Sequence, residues 1–470
     1  MPHADALASF FDTARWLVPT VVALVIANHF GVGYHLIKAA VRRDGQLARS
    51  AFQAARIRRR WPRLSQNLKL ALVDKTDLPA ATGIGTAAKT ATKPRVVIPR
   101  MRVRPDRYGV ICDAKTVAGI GLEEWKKNAR HLSDDWRAVR VAVSQPKPGR
   151  IRVRAVRVDP LAEPTSYEPD PASVPIPATL DRVFIGLDEY AEPVNLRLSG
   201  VSGICVCGLA GYGKTSFLNN LITRLAPHPA VQLIGLDGKS TNPEHGDYGP
   251  VRQRFAILRG DDIKAANELL NELNDFRQLR SDSIRRLLGV GNAWHVPFTP
   301  DWPLIILIID ECHTYFSQVK DGGNAEIKKR NALAAQNELL VSDLIRKGRS
   351  VGIIVIVATQ KGTGDAIPTI IRDNCAVSLA FACRTIDAAV AALGEDIRQY
   401  PDVNPVALRD PIYIGVAVMA VEGRPGFSRV RMPYVNETTA AAVAELHQGH
   451  VTTRDELPTA TLTAITAEQE

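Results

Sequence analysis

Cysteine is scarce. The six thiols among 470 residues, at positions 112, 205, 207, 312, 375 and 383, are too few and too scattered for the disulfide framework of a small secreted protein, so the working parts belong in a reducing compartment. Cys205 and Cys207 lie within an apolar run, where strand geometry sends both thiols to one packed face, and this speaks against zinc. Acidic side chains are short in the first third. Residues 1–160 hold 12 acidic against 30 basic side chains, a net of +18, whereas the remainder nets −8. Such a first third is suited to an anionic surface, either lipid headgroups or nucleic acid. No basic segment precedes the first apolar run, which argues against a cleaved signal peptide, and no fixed-period repeat is visible. The apolar content is sufficient for a large core, with 46% hydrophobic and 23% charged residues and a mean hydropathy of −0.06. The length corresponds to about three domain-sized pieces.

Residues 16–37 contain no Lys, Arg, Asp or Glu, and a helix of that length spans about 33 Å, enough for a bilayer core. Arg15 is the only cation before it, and Lys38, Arg42, Arg43, Arg49, Arg56, Arg58, Arg59, Arg60 and Arg63 follow. This asymmetry places everything after the span on the cytoplasmic side. The expected organisation is therefore a membrane anchor with a basic juxtamembrane segment over 1–75 and an Ala/Thr/Gly-rich linker over 76–94. A small basic α/β module follows over 95–160, then a Pro-rich connector over 161–180, a large α/β domain over 181–434 and a tail over 435–470. Within the module, residues 150–158 alternate cations with apolar side chains, the pattern of a half-buried strand with a basic face. In the large domain, five short apolar runs separated by helical patterns read as a parallel sheet covered on both faces. Ala266, Leu269, Leu270, Leu273 and Phe276 mark an amphipathic helix between Ile263 and Leu288.

Residues 208–215 read GLAGYGKT, which fits the G-x-x-x-x-G-K-[ST] phosphate loop directly after an apolar run and before a helical pattern. Gly208, Gly211 and Gly213 let backbone N–H groups turn inward onto phosphate oxygens, and the helix N-terminus adds positive potential. Lys214 reaches the β and γ phosphates of ATP, Thr215 offers its hydroxyl to Mg2+, and Tyr212 and Ser216 complete the nucleotide contacts. Ninety-six residues after Lys214, an apolar strand ends in Asp310 and Glu311. Asp310 is the expected holder of the Mg2+ shell and Glu311 the base for the attacking water. Gln360 ends another apolar run and is the expected phosphate sensor. Arg349, just before that run, is the candidate arginine finger for a neighbouring copy.

Together these residues resemble the FtsK/SpoIIIE family of DNA translocases, over roughly residues 100–435. Asp237-Gly-Lys239 is similar to the family's Asp-x-Lys strand end, and residues 370–374, IIRDN, to a later segment where the family usually carries a Lys. Lys347-Gly-Arg349 aligns with the finger-bearing segment of the related type IV coupling proteins. The single motor and single anchor look most like the plasmid-transfer translocases of mycelial actinobacteria. The resemblance implies a RecA-like P-loop ATPase forming a homohexameric ring at the plasma membrane, threading double-stranded DNA largely without regard to sequence. Two departures stand out: a phosphate loop reading LAGYGKT, and a charged insertion over 317–341. Residues 310–313 spell D-E-C-H, as in one helicase superfamily, and type VII secretion ATPases share this ATPase family. A tethered DNA clamp with a purely structural nucleotide site is disfavoured by the intact Lys214, Thr215, Asp310 and Glu311.

Overall fold

The computed structural model describes residues 33–74, 95–167, 180–320, 323–360 and 367–452, and the chain divides into two units, Met1–Pro160 and Leu161–Glu470. In the first, α1 (Gly33–Val41) precedes α2 (Gly45–Asn67). The Asp44 carboxylate opens α2 by accepting from the N–H groups of Gln46 and Leu47, both at 3.0 Å, which satisfies donors that a helix start leaves orphaned. Two short strands, β1 (Leu72–Asp74) and β2 (Arg95–Val97), pair antiparallel. A second antiparallel sheet follows, built of β3 (Met101–Asp106), β4 (Gly109–Lys115), β5 (Arg140–Lys147) and β6 (Arg150–Val156) in the order β3-β4-β6-β5. The helices α3 (Leu122–Lys127) and α4 (Ala129–Trp136) connect β4 to β5.

Indole rings fix this unit. Trp61 of α2 stacks on Trp125 at 5.4 Å, meets Trp136 edge-on at 6.4 Å, and donates from Nε1 to the Pro99 carbonyl at 2.9 Å. Ala54, Ile57 and Trp61 recur on one face of α2 and enter the same core as the sheet. The basic segment that the sequence set apart thus belongs with the 95–160 module. The alternating strand is β6, with Ile151, Val153 and Ala155 buried. Two of its three cations are paired. Arg152 pairs with Asp113 at 2.7 Å and Arg154 with Asp106 at 2.6 Å, while Arg104 on β3 meets Asp113 at 2.5 Å. The 76–94 linker lies outside the described residues, as does the apolar run at 16–37 except for its last five positions. No described helix is long and apolar enough to cross a membrane.

The second unit holds ten described strands: β7 (Arg182–Asp188), β8 (Pro193–Arg197), β9 (Gly203–Cys207), β10 (Val231–Asp237), β11 (Phe255–Arg259), β12 (Leu304–Asp310), β13 (Ile353–Thr359), β14 (Val377–Ala380), β15 (Val416–Ala420) and β16 (Phe427–Arg431). Their order is β11-β10-β12-β13-β9-β14-β15-β16-β7-β8. The six from β11 to β14 are parallel, as expected, but the remaining four continue antiparallel, so the sheet is mixed. The physical reason lies in the connections: hairpins join β15 to β16 and β7 to β8, and only a longer crossover can return a strand parallel. β9, β10, β12 and β13 are buried throughout. Their side chains alternate between two cores, Ile305, Leu307 and Ile309 of β12 in one and Leu304, Ile306 and Ile308 in the other. Cys205 and Cys207 share a face, with their sulfurs 3.7 Å apart in packing.

Helices cover both faces. The phosphate-loop helix is α5 (Lys214–Leu225), and α6 spans Ile263–Leu288 as its apolar spacing indicates, capped by Asp262 and closed by Gly289 at φ 67°. After α7 (His313–Phe316), most of the charged insertion becomes α8 (Ala325–Gly348). Its buried Asn337 accepts from Asn267 of α6 at 2.8 Å and donates to the Tyr315 carbonyl at 3.3 Å. The short α9 (Thr369–Arg372) and α10 (Ile386–Leu393) follow. Finally α11 (Glu437–Leu446) buries Ala440 and Ala444 in the core of this unit, and the Gln232 amide bonds the His450 carbonyl at 2.8 Å and the Thr452 N–H at 3.0 Å. The second unit's packing therefore continues past residue 434.

Candidate active site

The loop between β9 and α5 has left-handed or otherwise positive φ at Gly208 (151°), Gly211 (78°) and Gly213 (106°). A Cβ on Gly208 would lie 2.5 Å from that of Phe381, and one on Gly213 would lie 2.8 Å from the Gly415 Cα. Both positions therefore require glycine for space as well as for conformation. This leaves a backbone cradle open toward the start of α5, where N–H groups and the helix dipole suit phosphate oxygens.

Lys214 is only 4% exposed and closes on the far wall of the cradle, with Nζ 2.6 Å from Glu311 Oε1 and 3.0 Å from Asp310 Oδ1. Burial works against its charge, but the two carboxylates outweigh it and hold the ammonium above its ordinary range. Consecutive strand residues normally point to opposite faces, so it needs explaining how both acids reach one lysine. The backbone supplies the answer: Glu311 adopts φ 46°, a left-handed conformation that costs a non-glycine residue about 1–2 kcal/mol. Its N–H donates to Asp310 Oδ1 at 2.9 Å, and its carbonyl accepts from the Thr314 N–H at 2.9 Å. The strand end is thus bent so that two adjacent carboxylates face one cation.

Further groups, which the sequence did not single out as site residues, hold this pair. Tyr248, buried 62 residues upstream, donates from its hydroxyl to Asp310 Oδ2 at 2.9 Å. Burial, then the neighbouring Asp310, pushes its phenol well above the ordinary range, so it stays a donor. His313 Nδ1 lies 3.4 Å from Glu311 Oε2. Asp237 ends β10 in register with Asp310 and accepts from the Lys239 N–H at 3.1 Å, while Lys239 pairs with Asp247 at 2.8 Å. No sequence spacing points to Tyr248; only the pairing of β10 with β12 brings its segment under Asp310.

The other candidates are distributed as follows. Gln360 follows β13, and its N–H donates to Glu311 Oε2 at 3.2 Å, so it is brought to the acid pair. Thr215 opens α5 beside Lys214 and is half-buried. The Ser216 hydroxyl accepts from the Val435 N–H at 3.4 Å, and Tyr212 donates to the Arg409 carbonyl at 2.8 Å. Arg372 braces α9 to the Ala391 carbonyl at 3.1 Å. Arg349 is not with the others. It stands before the first residue of β13, whereas Gln360 follows the last, and the strand between them is about 20 Å long. Its side chain is exposed, but its backbone is pinned: Trp294 Nε1 donates to the Arg349 carbonyl at 2.9 Å, and the Val351 carbonyl accepts from Arg280 at 3.0 Å and Trp302 at 3.3 Å.

Residues 162–291 match the FtsK/SpoIIIE family. The chain carries an FtsK/SpoIIIE domain. Its homologues include the DNA translocase FtsK of Staphylococcus epidermidis, 25% identical over 214 residues, which are 43% of this chain and 25% of that protein. The DNA translocase FtsK of Listeria monocytogenes is 24% identical over 217 residues, 43% of this chain and 26% of that one. The chain thus spans about a quarter of the length of these relatives. Among solved structures, the pCW3 conjugation coupling protein TcpA, in its monomer form with ATPgS, is 18% identical, with 74% of this chain and 93% of that chain covered at a TM-score of 0.48. The cytoplasmic domain of the Thermomonospora curvata type VII secretion ATPase EccC is 17% identical, with 63% and 34% covered at a TM-score of 0.45. The matched FtsK/SpoIIIE stretch takes in the phosphate loop, Asp237, Lys239 and Tyr248. It ends before Asp310, Glu311, Arg349 and Gln360, which rest on geometry.

Proposed function

We propose that this chain is a membrane-anchored, RecA-like motor that hydrolyses ATP and pulls double-stranded DNA as a homohexameric ring, in conjugative transfer or chromosome segregation. The anchor lies in the apolar run at 16–37 and the motor on the cytoplasmic face of the plasma membrane. One observation carries the reading: the acid pair and the phosphate-loop lysine meet where the parallel strands end, while an exposed, backbone-pinned Arg349 stands where β13 begins. A chain built this way has a nucleotide site of its own and an arginine positioned for another copy's site.

The donor set fits Mg2+, a hard cation that takes oxygen ligands: the Thr215 hydroxyl and Asp310 would hold it, and when bound it neutralises phosphate charge. Lys214 exchanges its carboxylate partners for β- and γ-phosphate oxygens. That exchange releases Glu311, whose Oε1 then accepts a proton from water while Oε2 stays oriented by the Gln360 N–H and His313. Tyr248 keeps Asp310 turned toward the cradle throughout.

The test is ATP turnover of the full chain with and without linear duplex DNA. Duplex of any sequence should raise turnover, and the stimulation should fall steeply with salt because phosphate contacts dominate the grip. A rate indifferent to DNA but raised by a polypeptide would favour the secretion ATPase reading instead.

A further inference from the structure

A nucleoside triphosphate has two chemically different ends, and the strand order decides which side of the loop each occupies. Asp310 ends β12, which lies two strands from β9 on one side, so the γ-phosphate belongs on that side. The base then lies on the other side of β9, where β14 and β15 stand. There the chain before β15 is tied to the phosphate loop. The Gly415 N–H donates to the Tyr212 carbonyl at 3.0 Å, and the Met432 N–H donates to the Gly415 carbonyl at 2.8 Å. Arg431, buried beneath, directs its guanidinium to main-chain carbonyls: Leu161 at 2.7 Å from Nε, Ile414 at 2.8 Å from Nη1, and also Ile412.

This clamp holds the backbone while leaving apolar side chains uncovered. Ile412 is 46% exposed and Ile414 48%. Tyr434 is 58% exposed, and the next residue, Val435, donates its N–H to the Ser216 hydroxyl at the start of α5. Of the seven large apolar side chains exposed among the described residues of this unit, three are therefore gathered here. Apolar surface held rigid beside a polar cradle suits a ligand that is polar at one end and flat and apolar at the other.

We propose that Ile412, Ile414 and Tyr434 form a nucleobase platform, stacking on the purine of the triphosphate held by Gly208, Gly213 and Lys214. This deepens the nucleotide reading of the phosphate loop and rests on it. Stacking on an aromatic face tolerates different bases, because every base has a π-face.

The experiment measures affinity of the full chain, with Mg2+, for ATP and for inorganic tripolyphosphate, which has the phosphates but no base. Tyr434→Ala and Ile414→Ala should each weaken ATP, the first by about tenfold, and leave tripolyphosphate unchanged. Tyr434→Phe should restore ATP binding, because the ring and not the hydroxyl does the stacking. Loss of both ligands together in the variants, or undiminished ATP binding in both, overturns the platform while the phosphate loop stands. A parent chain that binds neither ligand overturns the nucleotide reading and the platform with it.

Discussion

The ten-stranded sheet treats charge in opposite ways at the two edges formed by the ends of its parallel strands. Where the parallel strands end, Lys214, Asp310 and Glu311 are almost wholly buried, and the one ammonium is shared by the two carboxylates within 3.0 Å. Where β13 begins, Arg349 carries its guanidinium in solvent while indoles and a buried Arg280 immobilise the backbone beneath it. Charges removed from water must be paired or they destabilise the fold, whereas an exposed charge costs little and contributes little alone. The first edge is therefore a set that one chain completes. The second is a group presented outward on a pinned backbone, with no ion pair among the described residues. A comparable contrast holds between Arg349 and the cations of β6, where Arg152 and Arg154 are matched by Asp113 and Asp106.

The comparison can be broken most forcefully at the buried edge. Lys214→Ala should reduce ATP turnover to background and also destabilise the unit by about 3 kcal/mol, because two buried carboxylates lose their cation; turnover and thermal melting measure both. At the exposed edge, Arg349→Ala should lower turnover of the assembled protein by about a thousandfold while ATP affinity and melting temperature stay as in the parent. A stability loss there would mean that Arg349 is structural. Tyr248→Phe removes only the hydroxyl bonded to Asp310 and should raise the Mg2+ concentration needed for half-maximal turnover by about tenfold, with little change in turnover at saturating Mg2+. The smallest effect concerns Asp237, which is 1% exposed and whose carboxyl is pushed up to about 6 by burial first and then by Asp310 and Asp247, against the Lys239 N–H. Its folded-state value lies above the ordinary one, so the folded chain binds the proton more tightly and stability falls as pH rises toward 6. Asp237→Asn should therefore melt above the parent at pH 8, by about 2–4 °C, and the gap should shrink as pH drops below 6.

Much of the buried edge was legible in the sequence because each part is local. A phosphate loop is a run of eight residues, strands covered on both faces are unbroken apolar runs, and α6 announces itself by period and by its Asp262 and Gly289 boundaries. What stayed hidden depends on register between distant segments. Tyr248 meets Asp310 across 62 residues, and Arg152 meets Asp113 across 39; neither distance has any period. The cationic alternation of β6 read as a basic face for the same reason, since its carboxylate partners sit on β3 and β4. The charged insertion and the segment after residue 434 looked like additions because the apolar anchors of α8, Val341, Leu344 and Ile345, come only at or after the insertion's end, its earlier turns pack through Asn337, and α11 packs through alanines. The left-handed turn at Glu311 had no signal at all, because glycine, not glutamate, is the residue that marks such a conformation.

The most direct measurement mixes two full-length variants that are each inactive, Arg349→Ala and Glu311→Gln, and follows ATP turnover with duplex DNA. If the two sheet edges of neighbouring copies complete one site, an Arg349→Ala copy supplies an intact acid pair to meet the arginine of a Glu311→Gln copy, and turnover returns on mixing. A mixture as inactive as its components, although mixed assemblies form, would contradict the account.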